Sequence, residues 1–232
     1  MASPVAGEVM TVTDAILSRF SARAFLDTPV SGEQLREILD IARRSPSGGN
    51  LQPWRVWILG GEAMSRFRAL MKERLAATPL GEGGEYQIYP PSLKEPYRSR
   101  RFQCGEDLYA TIRIHREDRP GRLQQFARNY DFFGAPVAMF FAIDRDMQQG
   151  QWADLGMFLQ SIMLLARERG LHTCPQEAWS VWPKTLGEFL GIPSELMLFC
   201  GMSIGYLDES HPINTLRTAR APLEEIATFV GI

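Results

Sequence analysis

The stretch "QWADLGMFLQSIMLLARER", residues 151–169, constrains the chain more than any other. Leu155, Met157, Phe158, Leu159, Ile162, Met163, Leu164 and Leu165 fall on nearly every side of a helix. A helix apolar nearly all round must be covered nearly all round, in the centre of a large domain or between subunits. Its apolar part, 155–166, is too short to span a bilayer and carries Gln160 and Ser161. The chain has 232 residues, enough to enclose such a helix in one large α/β domain or two small ones.

Other elements follow from spacing. A first helix is expected over Val12 to Arg19. A second starts at Ser31, where "SGEQ" reads as a capping box with Gln34, and carries Leu35, Ile38, Leu39 and Ala42 at helical intervals. "WRVWIL" reads as a strand, and "EAMSRFRALMKERLAA" as a helix with Met64, Phe67, Leu70, Met71 and Leu75 on one side. Residues 79–103, rich in Pro, Gly and Tyr, read as a long irregular loop. Helices are expected again over Gly105 to Ile114 and Leu123 to Tyr130. "APVAMFFAID" and "ELMLFCGMSIGYL" read as buried strands, and "PLEEIATFV" as a last short helix. Strands and helices mix without βαβ alternation, which is the α+β class.

Composition removes several function classes. Hydrophobic residues make up 45% and charged residues 22%, ordinary for a soluble protein. A formal net charge of −2 gives no domain-wide basic field for nucleic acid. Cys104, Cys174 and Cys200 are odd in number and widely spaced, and the three histidines are scattered, so neither a disulfide framework nor a metal site is expected. No P-loop or Rossmann glycine pattern occurs. The first fourteen residues lack the basic start and apolar run of a signal peptide, and no membrane anchor is seen, so a cytoplasmic location is expected.

Three stretches carry more hydrogen-bonding capacity than a fold needs. "SRFSAR" supplies Arg19, Ser21 and Arg23, and "NTLRTAR" supplies Asn214, Arg217, Thr218 and Arg220. Guanidinium groups with hydroxyls suit a phosphate, provided the two chain ends meet; otherwise they are solvated surface. "SPSGGNLQPW" offers Ser47, Asn50 and Gln52 with two glycines that let a ligand approach the backbone. That loop is equally a helix cap followed by an Asn-rich turn. "GLHTCPQEAWSVWP" places Glu177 beyond a stiff Pro175, with a strand-end backbone able to donate to a ligand. Glu177 reads otherwise as an exposed loop acid, and Trp179 and Trp182 as core.

Together, "SRFSARAF", "ARRSPSGGNLQPW", "ARNYDFFGAP", "CPQEAW" and "GMSIGYLDESHPINTLRTARAPLEEI" stand in the order and spacing of the FMN-dependent nitroreductase family. The resemblance runs from about Thr13 to Phe229. It implies one domain over residues 1–232, with 80–133 as a variable lid, and an α+β nitroreductase-like fold: a central, mostly antiparallel sheet surrounded by helices, in an interwoven homodimer. It implies FMN bound at the dimer interface and NADPH or NADH as co-substrate.

Carried onto this chain, the resemblance assigns Arg19, Phe20, Ser21, Arg23, Arg217 and Arg220 to the phosphate and ribityl chain. Pro46, Ser47, Gly48 and Asn50 come to the flavin from the other subunit. Pro175, Gln176, Glu177 and Ala178 lie along the ring, with the Glu177 N–H near N5, and Asn129 reaches the pyrimidine edge. Phe20 stands where the family often has a basic residue or histidine, and its side chain lacks that charge.

Tyr109 and Phe126 are candidates for the substrate rim; Phe132 and Phe133, next to a buried strand, read as core. The implied activity is ping-pong reduction of nitroaromatic or quinone-like compounds, with no protein side chain required as acid, base or nucleophile. The same scaffold also supports enone reduction, dehalogenation, azoline oxidation, flavin fragmentation, or FMN binding without turnover.

Overall fold

The computed structural model describes residues 9–232; residues 1–8, part of the segment read above for a leader, lie outside them. Local signals set the first elements. Thr11 and Asp14 form a capping box at the head of α1 (Val12–Ser18), and Ser31 with Gln34 forms the expected one before α2 (Gly32–Ala42). β1 (Trp54–Gly60) runs directly into α3 (Gly61–Ala77), whose Met64, Phe67 and Met71 are buried.

α4 (Tyr97–Thr111) and α5 (Arg119–Ala127) precede β2 (Val137–Asp144). α6 (Gln149–Glu168) leads to β3 (His172–Gln176), α7 (Pro183–Leu190), β4 (Leu196–Gly205) and α8 (Leu223–Ile226). The sheet order is β1-β2-β4-β3 and every pairing is antiparallel.

The sheet separates two cores. Val137, Met139, Phe141 and Ile143 of β2 face one side, with Leu35, Ile38 and Ala42 of α2 and Leu155, Phe158 and Ile162 of α6. Ala138 and Phe140 face the other side, where Phe67, Phe132, Trp179 and Trp182 gather. A bulge between Phe141 and Ala142 makes Phe199 the extra residue of β4. It turns Leu198 to the aromatic side while Cys200, Met202 and Ile204 keep to the helical side. Gly201 is required there, because a Cβ would stand 2.3 Å from the Trp179 ring. Trp179 and Trp182 are core, as expected, and so are Phe132 and Phe133.

α6 is less uniform than its apolar count implies. Asp154 and Arg167 are buried near its two ends, at 6% and 8% exposure. Arg167 donates to the Ser18 hydroxyl at 3.2 Å and the Leu171 carbonyl at 3.0 Å. Ala153, Gly156 and Met157 lie on an exposed face, and Ile16, Leu17 and Ile41 of α1 and α2 are exposed as well. Large apolar side chains left open on a monomer mark an interaction surface.

Several boundaries differ from those expected. α4 begins at Tyr97, not near Gly105. The Pro- and Gly-rich composition of 79–96 masks its start, where Glu95 accepts the Ser99 N–H at 3.2 Å. The helix expected over 123–130 is α5 followed by a 3-10 turn, Arg128–Gly134, in which Phe132 and Phe133 take left-handed φ angles of 52° and 56°. The last helix is a single turn. α7 was not foreseen; its first amides, Lys184 and Thr185, are capped by the distant Glu82 carboxylate at 3.0 and 3.1 Å. The irregular segment is therefore fastened at Glu82, and again at Tyr86, whose hydroxyl donates to the Phe199 carbonyl at 2.6 Å.

Candidate functional site

The chain ends meet. After α1 the backbone extends beside β3: Ser21 bridges Thr173, and the Ala22 N–H donates to the Thr173 carbonyl at 3.0 Å. Asn214, at 5% exposure, clamps this segment to the C-terminal region. It accepts the Arg23 N–H at 2.8 Å and donates to the carbonyls of Ala24 at 2.9 Å and Asp208 at 2.8 Å.

The clamp gathers Arg19, Arg23, Arg217 and Arg220, and none of the four is in an ion pair among the described residues. Burial, and then the charge of Arg220, push the Arg19 guanidinium below its ordinary value. Uncompensated cations crowded together are what a phosphate dianion neutralises. Arg217 lies 3.8 Å over the Phe20 ring, so the position lacking a basic side chain carries a neighbour's cation instead. Phe20 also meets His172 edge-on at 5.1 Å. His172 is held neutral, its pKa pushed down to about 3 by burial and by Arg167 and Arg217.

The end of β3 forms the second part. The Gln176 side chain donates to the Asn129 carbonyl at 2.8 Å and to its Oδ1 at 3.2 Å, and accepts from the Ser203 hydroxyl at 2.8 Å. Asn129 in turn donates to the Phe126 carbonyl at 2.8 Å. The Gln176 side chain is thus committed inward, and the Asn129 amide is oriented by protein partners on both of its atoms. Glu177 opens a 3-10 turn, Glu177–Val181, half-buried rather than an exposed loop acid, and burial raises its carboxyl.

The third part is the loop after α2. The Ser45 and Ser161 hydroxyls lie 2.7 Å apart, and the Gly48 N–H donates to Asp154 Oδ2 at 3.1 Å. The Gln52 N–H donates to the Ser47 hydroxyl at 3.0 Å. Gly49, Asn50 and Gln52 all have left-handed φ angles, of 58°, 57° and 50°. Two of these are not glycine, and such strain persists where surrounding contacts enforce it. Pro46, Gly48, Asn50 and Leu51 stay exposed, and Ser47 is half-buried.

Residues 16–206 match the model of the nitroreductase family. The chain belongs to that family. It is 39% identical to 4-nitrobenzoate reductase of Pseudomonas putida over 94% of this chain and 95% of the relative. It is equally identical to chloronitrobenzene nitroreductase of Comamonas testosteroni, over 94% and 96%. Among solved structures, the FMN and NADPH-dependent nitroreductase NfnB of Sphigopyxis sp. strain HMH superposes with a TM-score of 0.92 at 43% identity, covering 96% of this chain and 100% of that one. The NfnB of Mycobacterium smegmatis, in complex with NADPH, gives 0.88 at 27% identity, covering 94% and 97%.

In this nitroreductase-family chain, Tyr109 is half-buried under Arg122, whose guanidinium lies 4.3 Å from the ring centroid. Burial raises the Tyr109 phenol, while the charges of Arg122 and Arg23 act against the rise. Phe126 is exposed, edge-on to Tyr130 at 6.0 Å. Asp154, which accepts from the Gly48 amide, has no place in the sequence analysis, and Asn214 appears there only within the Arg217 stretch, not as a clamp. The available signal for Asp154 was a lone charge inside an apolar helix; Asn214 had none beyond its place beside Arg217. Among the described residues no group of three or more His, Cys, Asp or Glu could hold a metal, and no helix is long and apolar enough to cross a membrane.

Proposed function

We propose that the chain is an FMN-dependent oxidoreductase that reduces nitroaromatic compounds with NADPH or NADH, as a single domain with 80–133 as the lid. The observation that carries this reading is the arginine cluster: cations from both chain ends, without carboxylate partners among the described residues, beside β3. The donor set fits FMN. Arg19, Ser21, Arg23, Arg217 and Arg220 hold its phosphate and ribityl hydroxyls by charge-assisted bonds, with Phe20 as the platform for Arg217.

Pro175, Gln176, Glu177 and Ala178 contribute backbone along the ring system, with the Glu177 N–H as donor to it, and Asn129 stands at its polar edge. Pro46, Ser47, Gly48 and Asn50 serve the site of a partner subunit. The exposed apolar faces of α1, α2 and α6 support a homodimer. Tyr109 and Phe126 form the substrate rim.

FMN, when bound, supplies reversible hydride acceptance. The protein's part is to bind and orient, and no side chain is asked to act as acid or nucleophile. Backbone donors and nearby cations favour negative charge on the bound ring electrostatically. One pocket serves donor and acceptor in turn, so initial-rate plots against both substrates give parallel lines. A cytoplasmic site of action agrees with the need for nicotinamide donors.

The test is the visible spectrum of the purified protein before and after anaerobic NADPH, followed by 4-nitrobenzoate or nitrobenzene. A yellow protein that bleaches and is reoxidised by the nitro compound supports the reading. A colourless protein that FMN does not reconstitute contradicts it.

A further inference from the structure

α6 packs against β1, β2 and α2 with apolar side chains: Trp54 stacks on Phe158 at 4.7 Å, and Leu155, Leu159 and Ile162 fill the space beneath the sheet. Asp154 breaks this pattern. Its carboxylate is buried, it has no ion-pair partner among the described residues, and its one hydrogen bond recorded there is to the Gly48 N–H at 3.1 Å. A buried charge with so little compensation costs stability, and an apolar residue of similar size would ordinarily serve the core better.

Ser161 follows Asp154 by seven residues, two helical turns on, and so shares its face. Its hydroxyl meets Ser45 at 2.7 Å. The two polar groups on this side of α6 therefore tether the two ends of one segment, the turn that leaves α2 and enters the left-handed stretch at Gly49, Asn50 and Gln52.

The acceptor is matched to its donor. A carboxylate binds an N–H more strongly than a neutral oxygen does, most of all away from water. A Cβ at Gly48 would meet Asp154 Oδ2 at an ordinary contact distance of 3.9 Å, so the carboxylate sits directly against this backbone. Within the turn, the Asn50 N–H donates to the Ser47 carbonyl at 2.9 Å and the Leu51 N–H to the Gly48 carbonyl at 3.2 Å, with Ser47–Gln52 and Gln52–Asn50 bonds beside them; the Gly48–Asp154 bond ties this local set to α6. Left-handed φ at Asn50 and Gln52 is costly, so an anchor outside the turn adds to what holds it.

We infer that Asp154 is a positioning residue: it fixes the 47–52 turn, through the Gly48 amide, in the conformation that meets the flavin. The flavin part of this inference rests on the reading under Proposed function; the tether itself does not. The residue acts through the loop, and α6 thereby links the buried centre of the fold to the rim of the site.

The test compares wild type, Asp154→Ala and Asp154→Asn, each as holoprotein and as apoprotein. Asp154→Ala weakens FMN binding about 10- to 100-fold, the size expected for losing a charge-assisted bond and the order it imposes. It also changes the visible circular dichroism of the bound flavin, while the apoprotein melts within a few degrees of wild type because a buried charge has been removed. Asp154→Asn, which keeps an acceptor, recovers most of the affinity.

Hydrogen exchange at the Gly48 and Gln52 amides reads the tether without flavin: both exchange faster in Asp154→Ala. Unchanged exchange overturns the tether. Faster exchange with unchanged FMN affinity overturns the role in binding. An affinity loss that tracks a fall in melting temperature, with no rescue by Asn, reduces Asp154 to a stability residue and also overturns it. A wild type that binds no FMN but shows the exchange difference keeps the tether and sinks the functional reading instead.

Discussion

At the arginine end of the site the backbone is satisfied and the charges are not. Arg23, Ala24 and Asp208 all close onto Asn214, while the charge of Arg220 disfavours that of Arg19. At the loop end it is the backbone that is strained, with Asn50 and Gln52 left-handed and one amide fixed by Asp154. One end is pinned by backbone hydrogen bonds to Asn214 and presents cations. The other is held in an unfavourable conformation from behind, with its front exposed. Charge supplies affinity at the first end, and shape supplies fit at the second.

Breaking the charged end has the largest effect. Arg19→Ala combined with Arg23→Ala removes two charge-assisted contacts, each about 1.5–3 kcal/mol. FMN affinity falls by about 100-fold or more in a fluorescence titration. The same apoprotein melts no lower than wild type, because the cluster without its anion is self-repelling. A fall in apoprotein stability instead would mean that these arginines are structural.

Asn214→Ala breaks the clamp. It leaves the half-buried Arg23 N–H and two carbonyls without their partner, costing about 2–4 kcal/mol by denaturant unfolding. Affinity and stability fall together here, unlike in the arginine variant, and that contrast sharpens the division between clamp and charge.

The third prediction concerns pH. His172 in the folded protein has its pKa near 3, below its ordinary value of 6.5, so the unfolded chain takes up a proton that the folded chain refuses. Stability is fully present above pH 6.5 and is lost as pH falls from 6.5 toward 3. Between pH 6.5 and 5 the loss is about 1–2 kcal/mol. His172→Gln flattens this slope in pH-dependent unfolding, whatever it does to absolute stability; an unaltered slope would show that other groups carry it.

Much of the fold was legible because its signals are local. The Ser31–Gln34 box, the short continuous apolar run of β2 and the apolar run of α6 each lie within one element and read without reference to anything distant. What stayed hidden depends on separation. α7 takes its cap from Glu82, about a hundred residues upstream, so nothing adjacent in the sequence marks its start.

The site divides in the same way. The arginines and the Gly-Gly-Asn loop were readable as residue types. The Asn214 clamp, Arg217 lying over Phe20, and Asp154 beneath Gly48 are contacts between segments far apart in the chain, which spacing cannot express. Phe20 is instructive: read alone it subtracts a charge, but in the fold it seats one.

The central claim is that the pinned charged end and the strained loop end of one FMN site come from different subunits. Mixed dimers test it most directly. Subunits carrying Arg19→Ala and Arg217→Ala are co-refolded with subunits carrying Asn50→Ala and Asp154→Ala, and flavin per mixed dimer is measured. Neither parent dimer retains FMN. The account predicts one FMN per mixed dimer, because one of its two sites receives an intact arginine end and an intact loop. A mixed dimer as empty as its parents would place both ends in a single subunit and contradict the account.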